Sequence, residues 1–217
     1  MNTRRIIAVV AVAALVTLSG CGFILGSDSL DFPAEPVAVD DSTQSDTGYE
    51  QTRRTSLNVD RSFSAAGQTR NVSVTNYIAE YGRSADAVFS DQQVARVTVL
   101  SSPKVEVLGE SFNPLGDLSD RELAQRFQKQ YDSLDNLQFQ SNRTTTVHEE
   151  EQTVSKFTAQ ADMGGTSVDV YVHLSKFEVG DDYVVAVAIH PQQIDEEPNV
   201  DEMFAGIVHP AEEPADS

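Results

Sequence analysis

The chain has 217 residues, with 15 Lys and Arg against 34 Asp and Glu, a formal net charge of −19 and a single cysteine. One cysteine excludes an internal disulfide framework, a four-cysteine zinc site and a Cys-x-x-Cys redox centre, and the acid excess argues against nucleic acid as a partner, because phosphate binding needs clustered Lys and Arg. A hydrophobic fraction of 40% is too high for a wholly disordered chain, and its scatter excludes a multi-span membrane protein.

In chain order, residues 1–21 read as a targeting segment. Arg4 and Arg5 form a positive start, and residues 6–18 are an uncharged apolar run of the length of a signal-peptide core. The run ends in Leu18-Ser19-Gly20-Cys21, which resembles the lipobox of prokaryotic lipoproteins. Small residues there let a signal peptidase grip extended backbone, and the resemblance makes Cys21 the lipid acceptor and mature N-terminus. Arg4-Arg5 also resembles the twin-arginine export signal, although paired arginines occur in ordinary export signals too. Residues 6–25 carry no charge and are long enough for an uncleaved anchor helix; either way the domain stands outside the membrane and tethered to it. Removing residues 1–20 leaves 13 bases against 34 acids, a charge of −21, and only four of those bases are lysine. Mutual repulsion at that charge is nearly abolished in multimolar salt, where the Debye length is below about 3 Å. The composition is that of an extreme halophile; an ordinary acidic secreted protein is the alternative.

Residues 22–47, rich in Asp, Ser, Pro and Thr, read as an acidic flexible tether, with Phe32 and residues 37–39 touching the domain and a short helix or none over residues 40–46. One domain then spans residues 48–210, followed by an acidic tail, 211–217. Strands are expected at 53–63 and 69–81 around an Ala65-Ala66-Gly67-Gln68 hairpin turn, and at 94–100 and 104–108, broken at Ser102-Pro103. A capping box, Ser119 with Glu122, opens a helix whose stripe is Leu123, Phe127 and Tyr131. A strand follows at 137–148, then a meander of 153–161, 166–177 and 183–190 turning at Met163-Gly164-Gly165 and Gly180-Asp181-Asp182. The last strand is apolar on both faces and so central. Asn199 and Glu202 mark a second helix, with Met203, Phe204, Ile207 and Val208 as its buried face. The expected fold class is α+β: a mostly antiparallel sheet with two helices packed on one face, preceded by an N-terminal signal or anchor helix.

After the lipobox, Thr47-Gly48-Tyr49, Val74-Thr75-Asn76-Tyr77, Ser102-Pro103, Gly109-Glu110-Ser111-Phe112-Asn113-Pro114-Leu115 and His190-Pro191 occur in that order. Together they resemble a haloarchaeal lipoprotein family, the domain-of-unknown-function family 6517. The resemblance implies a lipoprotein on the outer face of a halophilic archaeon's cell membrane, and implies no activity or catalytic residues.

The chemistry is sparse. Gly109-Glu110-Ser111-Phe112-Asn113 lacks the closing glycine of a nucleophile elbow, and Asn113-Pro114 reads as a turn. His148-Glu149-Glu150-Glu151-Gln152 is not His-Glu-x-x-His. His190 and His209 each precede a proline and could meet near Asp195 or Glu196, which would give a metal-assisted hydrolase; zinc needs three or four such ligands, so we assign no metal site, no catalytic residue and no cofactor. Asn71 and Asn142 head N-glycosylation sequons. The expected function is therefore a membrane-tethered binding module, held by lipid on Cys21 and engaging an envelope protein, with the hydrolase as the alternative.

Overall fold

The computed structural model describes residues 30–65, 68–84, 93–107, 110–111, 113–130, 134–162 and 166–214. The expected signal segment, with Arg4, Arg5, Leu18, Ser19, Gly20 and Cys21, lies outside the described residues. No helix among the described residues is long and apolar enough to cross a membrane.

In chain order the elements are β1 (Leu30–Pro33), β2 (Ala38–Val39), α1 (Asp41–Thr47), β3 (Glu50–Ala65), β4 (Gln68–Ser84), β5 (Gln93–Pro103), β6 (Glu106–Val107), β7 (Glu110–Ser111), α2 (Asp120–Gln130), β8 (Leu134–Val147), β9 (Glu150–Asp162), β10 (Ser167–Val179), β11 (Asp182–Pro191), α3 (Glu197–Ala205) and β12 (Ile207–Val208). One eight-stranded sheet runs β1-β4-β5-β11-β10-β9-β8, with β3 on the other side of β4. β1 is parallel to β4 and every other pair in this sheet is antiparallel.

The fold is mostly β, with three short helices of seven, 11 and nine residues, and this corrects the α+β expectation. A cap and an apolar stripe identify a helix without fixing its share of the fold; here the two longest strands, of 16 and 17 residues, outweigh any helix. The helices also lie on opposite faces. Val184, Ala186 and Ala188 of β11 pack with Val200, Met203 and Phe204 of α3. Their neighbours Val185 and Val187 pack with Ala124 of α2, and with Val170, Val172 and Leu174 of β10. This is the period-two alternation of a strand covered on both sides, and it places β11 at the centre, between β5 and β10.

Residues 30–47, expected within the tether, are folded onto the sheet. Val37 and Val39 are fully buried in the α3-side core, and β2 pairs with β12. Asp40 caps α1: its carboxylate accepts from Thr43 N at 2.9 Å and Thr43 Oγ1 at 2.7 Å. The polar composition hides this, because α1 buries only Thr47. At the other end, the acidic tail folds back as far as residue 213: Tyr77 donates to the Glu213 carboxylate at 3.0 Å, and Arg54 donates to the Glu212 carbonyl.

Candidate functional site

Along β8, β9, β10 and β11, the residues facing α3 change from apolar to polar toward one end of the sheet. Arg143, Lys156, His173 and His190 stand there, beneath the first turn of α3. His173 is wholly buried and His190 nearly so. Their Nε2 atoms are 2.9 Å apart. Ring centroids 5.1 Å apart with planes 8° from parallel place the rings edge to edge, sharing that hydrogen bond, rather than face to face.

The tautomers follow from the one group that cannot accept. Arg143 donates Nη1 to His173 Nδ1 at 2.8 Å, so Nδ1 carries the lone pair and Nε2 the proton. His173 then donates to His190 Nε2, and His190 donates its Nδ1 proton to the Pro191 carbonyl at 3.0 Å. Both rings are neutral. Burial, then the Arg143 charge and His190, hold His173 down to about 2; burial also lowers His190, partly offset by the Pro191 carbonyl. Arg143 in turn grips Asp201 with Nε at 2.8 Å and Nη2 at 2.5 Å, the fork geometry a lysine cannot reproduce.

Beside this chain opens a cleft of about 440 Å³, lined by Lys156, Tyr171, His190, Ile194, Asp195 and Glu197, among others. That volume suits a small ligand. Lys156 lies 3.9 Å from the Tyr171 ring centre and pairs with Glu197 at 2.6 Å, which lowers the Glu197 carboxyl. Glu196, buried, pairs with Arg83 at 2.5 Å. Beside it the Tyr49 hydroxyl is buried; burial, then the Glu196 charge, raises that phenol. Asp195 is exposed at the rim. With both His190 nitrogens engaged, the cleft wall offers charge, an aromatic face and shape, and no spare imidazole lone pair to take a substrate proton.

His209 sits elsewhere. Its Nε2 lies 2.8 Å from Asp182 Oδ2 and 3.1 Å from Ser101 Oγ. Asp182 opens β11 and His190 stands near its end, so the two histidines are about 26 Å apart along the strand. The shared metal site expected of His190, His209 and Asp195 or Glu196 is therefore not assembled, and no group of three His, Cys, Asp or Glu among the described residues could hold a metal ion. Ser101, His209 and Asp182 have the residue types of a catalytic triad without its geometry. Serine and aspartate share one ring nitrogen, whereas a triad sets them on opposite ones, and His209 Nδ1 is buried without a partner among the described residues. Asp182 Oδ2 also accepts from Glu35 N at 2.7 Å, so the cluster ties both terminal segments to β5 and β11.

Among the remaining sequence candidates, the Asn113 and His148 segments build turns. Asn113 is buried, donates to the Pro103 carbonyl at 2.6 Å and accepts from Leu115 N at 3.0 Å, so its loop is a turn. His148 and Glu149 form the two-residue β8–β9 turn, both at positive φ. Asn71 and Asn142 are exposed on strands; Asn71 accepts from Ser62 at 2.8 Å and Asn142 from Ser155 at 3.0 Å. Sequence reasoning missed the His173–His190 pair. The signal was there: with Val179 opposite Asp182, His173 faces Ala188 and His190 is its diagonal neighbour.

The sequence profile of a family described as "Domain of unknown function (DUF6517)" matches residues 36–208. No curated protein matches the chain.

Proposed function

Since the chain belongs to the DUF6517 family, which lends it no reaction or ligand, we propose a function from its own residues: a lipoprotein on the outer face of a halophilic archaeon's membrane, whose domain is a non-catalytic binding module for an envelope partner. The observation that carries the binding reading is the cleft beneath α3, whose walls are held by Arg143–Asp201, Lys156–Glu197, Arg83–Glu196 and His173–His190. A wall tied together in this way is preorganised to present a fixed surface, with the Asp195 carboxylate exposed at its rim.

The anchoring half rests on Leu18-Ser19-Gly20-Cys21. Eight residues, 22–29, separate Cys21 from β1, a reach of at most about 28 Å, so the anchored domain stays close to the bilayer. Lipid supplies about 0.8 kcal/mol per buried methylene, and two long chains hold almost permanently. Cys21→Ser in the full chain should leave the fold intact and move the protein from membrane to medium, or stall removal of residues 1–20. Membrane fractionation and intact mass decide this; wild-type protein that keeps residues 1–20 and carries no lipid defeats the lipobox reading. For the binding half, crosslinking on intact cells in high salt should join a specific envelope protein to the wild type, and Asp195→Lys should lose it. Equal capture by both removes the cleft from the function.

A further inference from the structure

A sheet edge left open invites another strand, and natural proteins defend such edges with bulges, prolines and lysines. The two long edge strands of this sheet, β8 and β3, differ in that respect. β8 is interrupted twice in its pairing with β9, between Asp135 and Gln138 and between Phe139 and Ser141. β3 is irregular only between Gln51 and Arg53 and then pairs evenly with β4 from Arg53 to Ala65. It contains no proline and no lysine, its outer side has no strand among the described residues, and Leu57 at its middle is 50% exposed.

Charge distinguishes β3 as well. Residues 51–79 hold one acid, Asp60, against four arginines, Arg53, Arg54, Arg61 and Arg70, in a chain of net charge −19. The acid excess that keeps copies apart elsewhere is absent from this stretch, and its own net charge of +3 is screened in concentrated salt.

We propose that β3 is a self-association edge, pairing antiparallel with β3 of a second copy about a two-fold axis through Asn58, so that the sheets join into one. Directly opposed residues in an antiparallel pair share a face, so a two-fold axis normal to the sheet passes through a residue pair of equal parity. Centred on Asn58, the register sets Leu57 against Val59 of the second copy twice over, Ser56 against Asp60 and Thr55 against Arg61, with no like charges opposed. Centred on Leu57, it opposes Arg53 and Arg61 twice, which is unfavourable. Centred on Ser56, it forfeits both leucine–valine contacts. Main-chain hydrogen bonds and apolar contacts survive salt that screens the net charge, so association strengthens as salt rises. The inference does not depend on the lipid anchor or on the cleft.

The register fixes the test. Directly opposed strand residues have Cα atoms about 4.5–5.5 Å apart, inside the disulfide range of about 4.4–6.8 Å. In the full chain in multimolar salt, Asn58→Cys should oxidise to a disulfide dimer. Thr52→Cys, about 40 Å from its own copy in this register, should give no more dimer than the wild type with its Cys21. Adding Leu57→Lys to Asn58→Cys should cut the dimer yield about tenfold. Sedimentation of the wild type should give a dimer in high salt and less of it in low salt. A wild-type monomer in high salt overturns the proposal, and so does a dimer in which Asn58→Cys and Thr52→Cys react equally.

Discussion

His173 and His190 give the fold a direction of response to acid. Both are held neutral, His173 by burial and the Arg143 charge, His190 by burial. Around them stand Arg143 from β8, Lys156 from β9, and Glu196, Glu197 and Asp201 at the start of α3. Their folded pKa values lie below the unfolded value of about 6.5, so below that pH the unfolded chain takes up protons that the native state refuses. Stability is full above about pH 6.5 and falls as pH drops, by up to about 1.4 kcal/mol per pH unit for each histidine. Denaturant melts between about pH 7 and 5.5 should show that slope, and His173→Gln should reduce it by about one proton while lowering stability at neutral pH. A slope untouched by the substitution would place the acid response in other groups. From the sequence, each histidine was visible as a strand residue, but their pairing was not. The search for a metal site matched His190 to His209 because both precede proline, a similarity of sequence with no counterpart in space. Register, already implied by the Gly180-Asp181 turn, was the better guide.

Helix α2 and the β8–β9 hairpin show what local chemistry can specify. Ser119 and Glu122 make the reciprocal bonds of a capping box, Ser119 N to Glu122 Oε2 at 3.0 Å and Glu122 N to Ser119 Oγ at 3.3 Å, as their spacing predicts. The hairpin is less favourably built. Its two-residue loop places His148 at φ 51° and Glu149 at φ 65°, a conformation that suits Asn-Gly and strains residues with a larger side chain. Replacing His148-Glu149 by Asn-Gly should stabilise the domain by about 1 kcal/mol, raising Tm by about 2–4 °C; a lower Tm in a thermal melt would mean that these side chains earn their place through contacts of their own. Helix α1 was legible only as one of two alternatives, a short helix or none, because Asp40 caps a run with no apolar stripe. The α3 boundary also shifted, since Asn199 hydrogen-bonds Glu196 at 3.1 Å rather than capping the helix itself. Which face each helix covers was not legible, because a stripe says that a helix is buried and not against what.

The chain carries 34 acids, and one sheet carries most of the burial among the described residues. The halophile reading makes a prediction here. Self-repulsion destabilises the compact state in dilute buffer and is screened in concentrated salt, so Tm should fall by more than about 5 °C on dilution from multimolar to about 0.1 M salt. Calorimetry at several salt concentrations checks this, and a Tm indifferent to salt would count against a high-salt habitat. The central place of β11 could be inferred from its run of residues apolar on both faces; the strand number could not, since eight strands are expected and twelve are described, with β5 running through Ser102-Pro103. Contact of Phe32 and residues 37–39 with the domain was legible from their apolar side chains, but the order of the rest of residues 30–47 was not, because it depends on partners more than 150 residues away, such as Met203 Sγ beneath the Thr47 hydroxyl at 3.3 Å.

That dependence sets an order of events for the living chain. Val37 and Val39 are covered by Val200, Met203, Phe204 and Ile207, β2 finds its partner only in β12, and the Pro36 carbonyl receives Ala211 N at 2.8 Å. Residues 36–39 therefore wait for residues 200–211 before they have a place to pack. Until the final turn of α3 has arrived, one face of the sheet stays uncovered, and long-range closure of this kind is slow. This half of the core therefore stays open until residues 200–211 have met residues 36–39, and a variant that removes β12 should leave the segment of β2 and α1 unprotected from proteolysis.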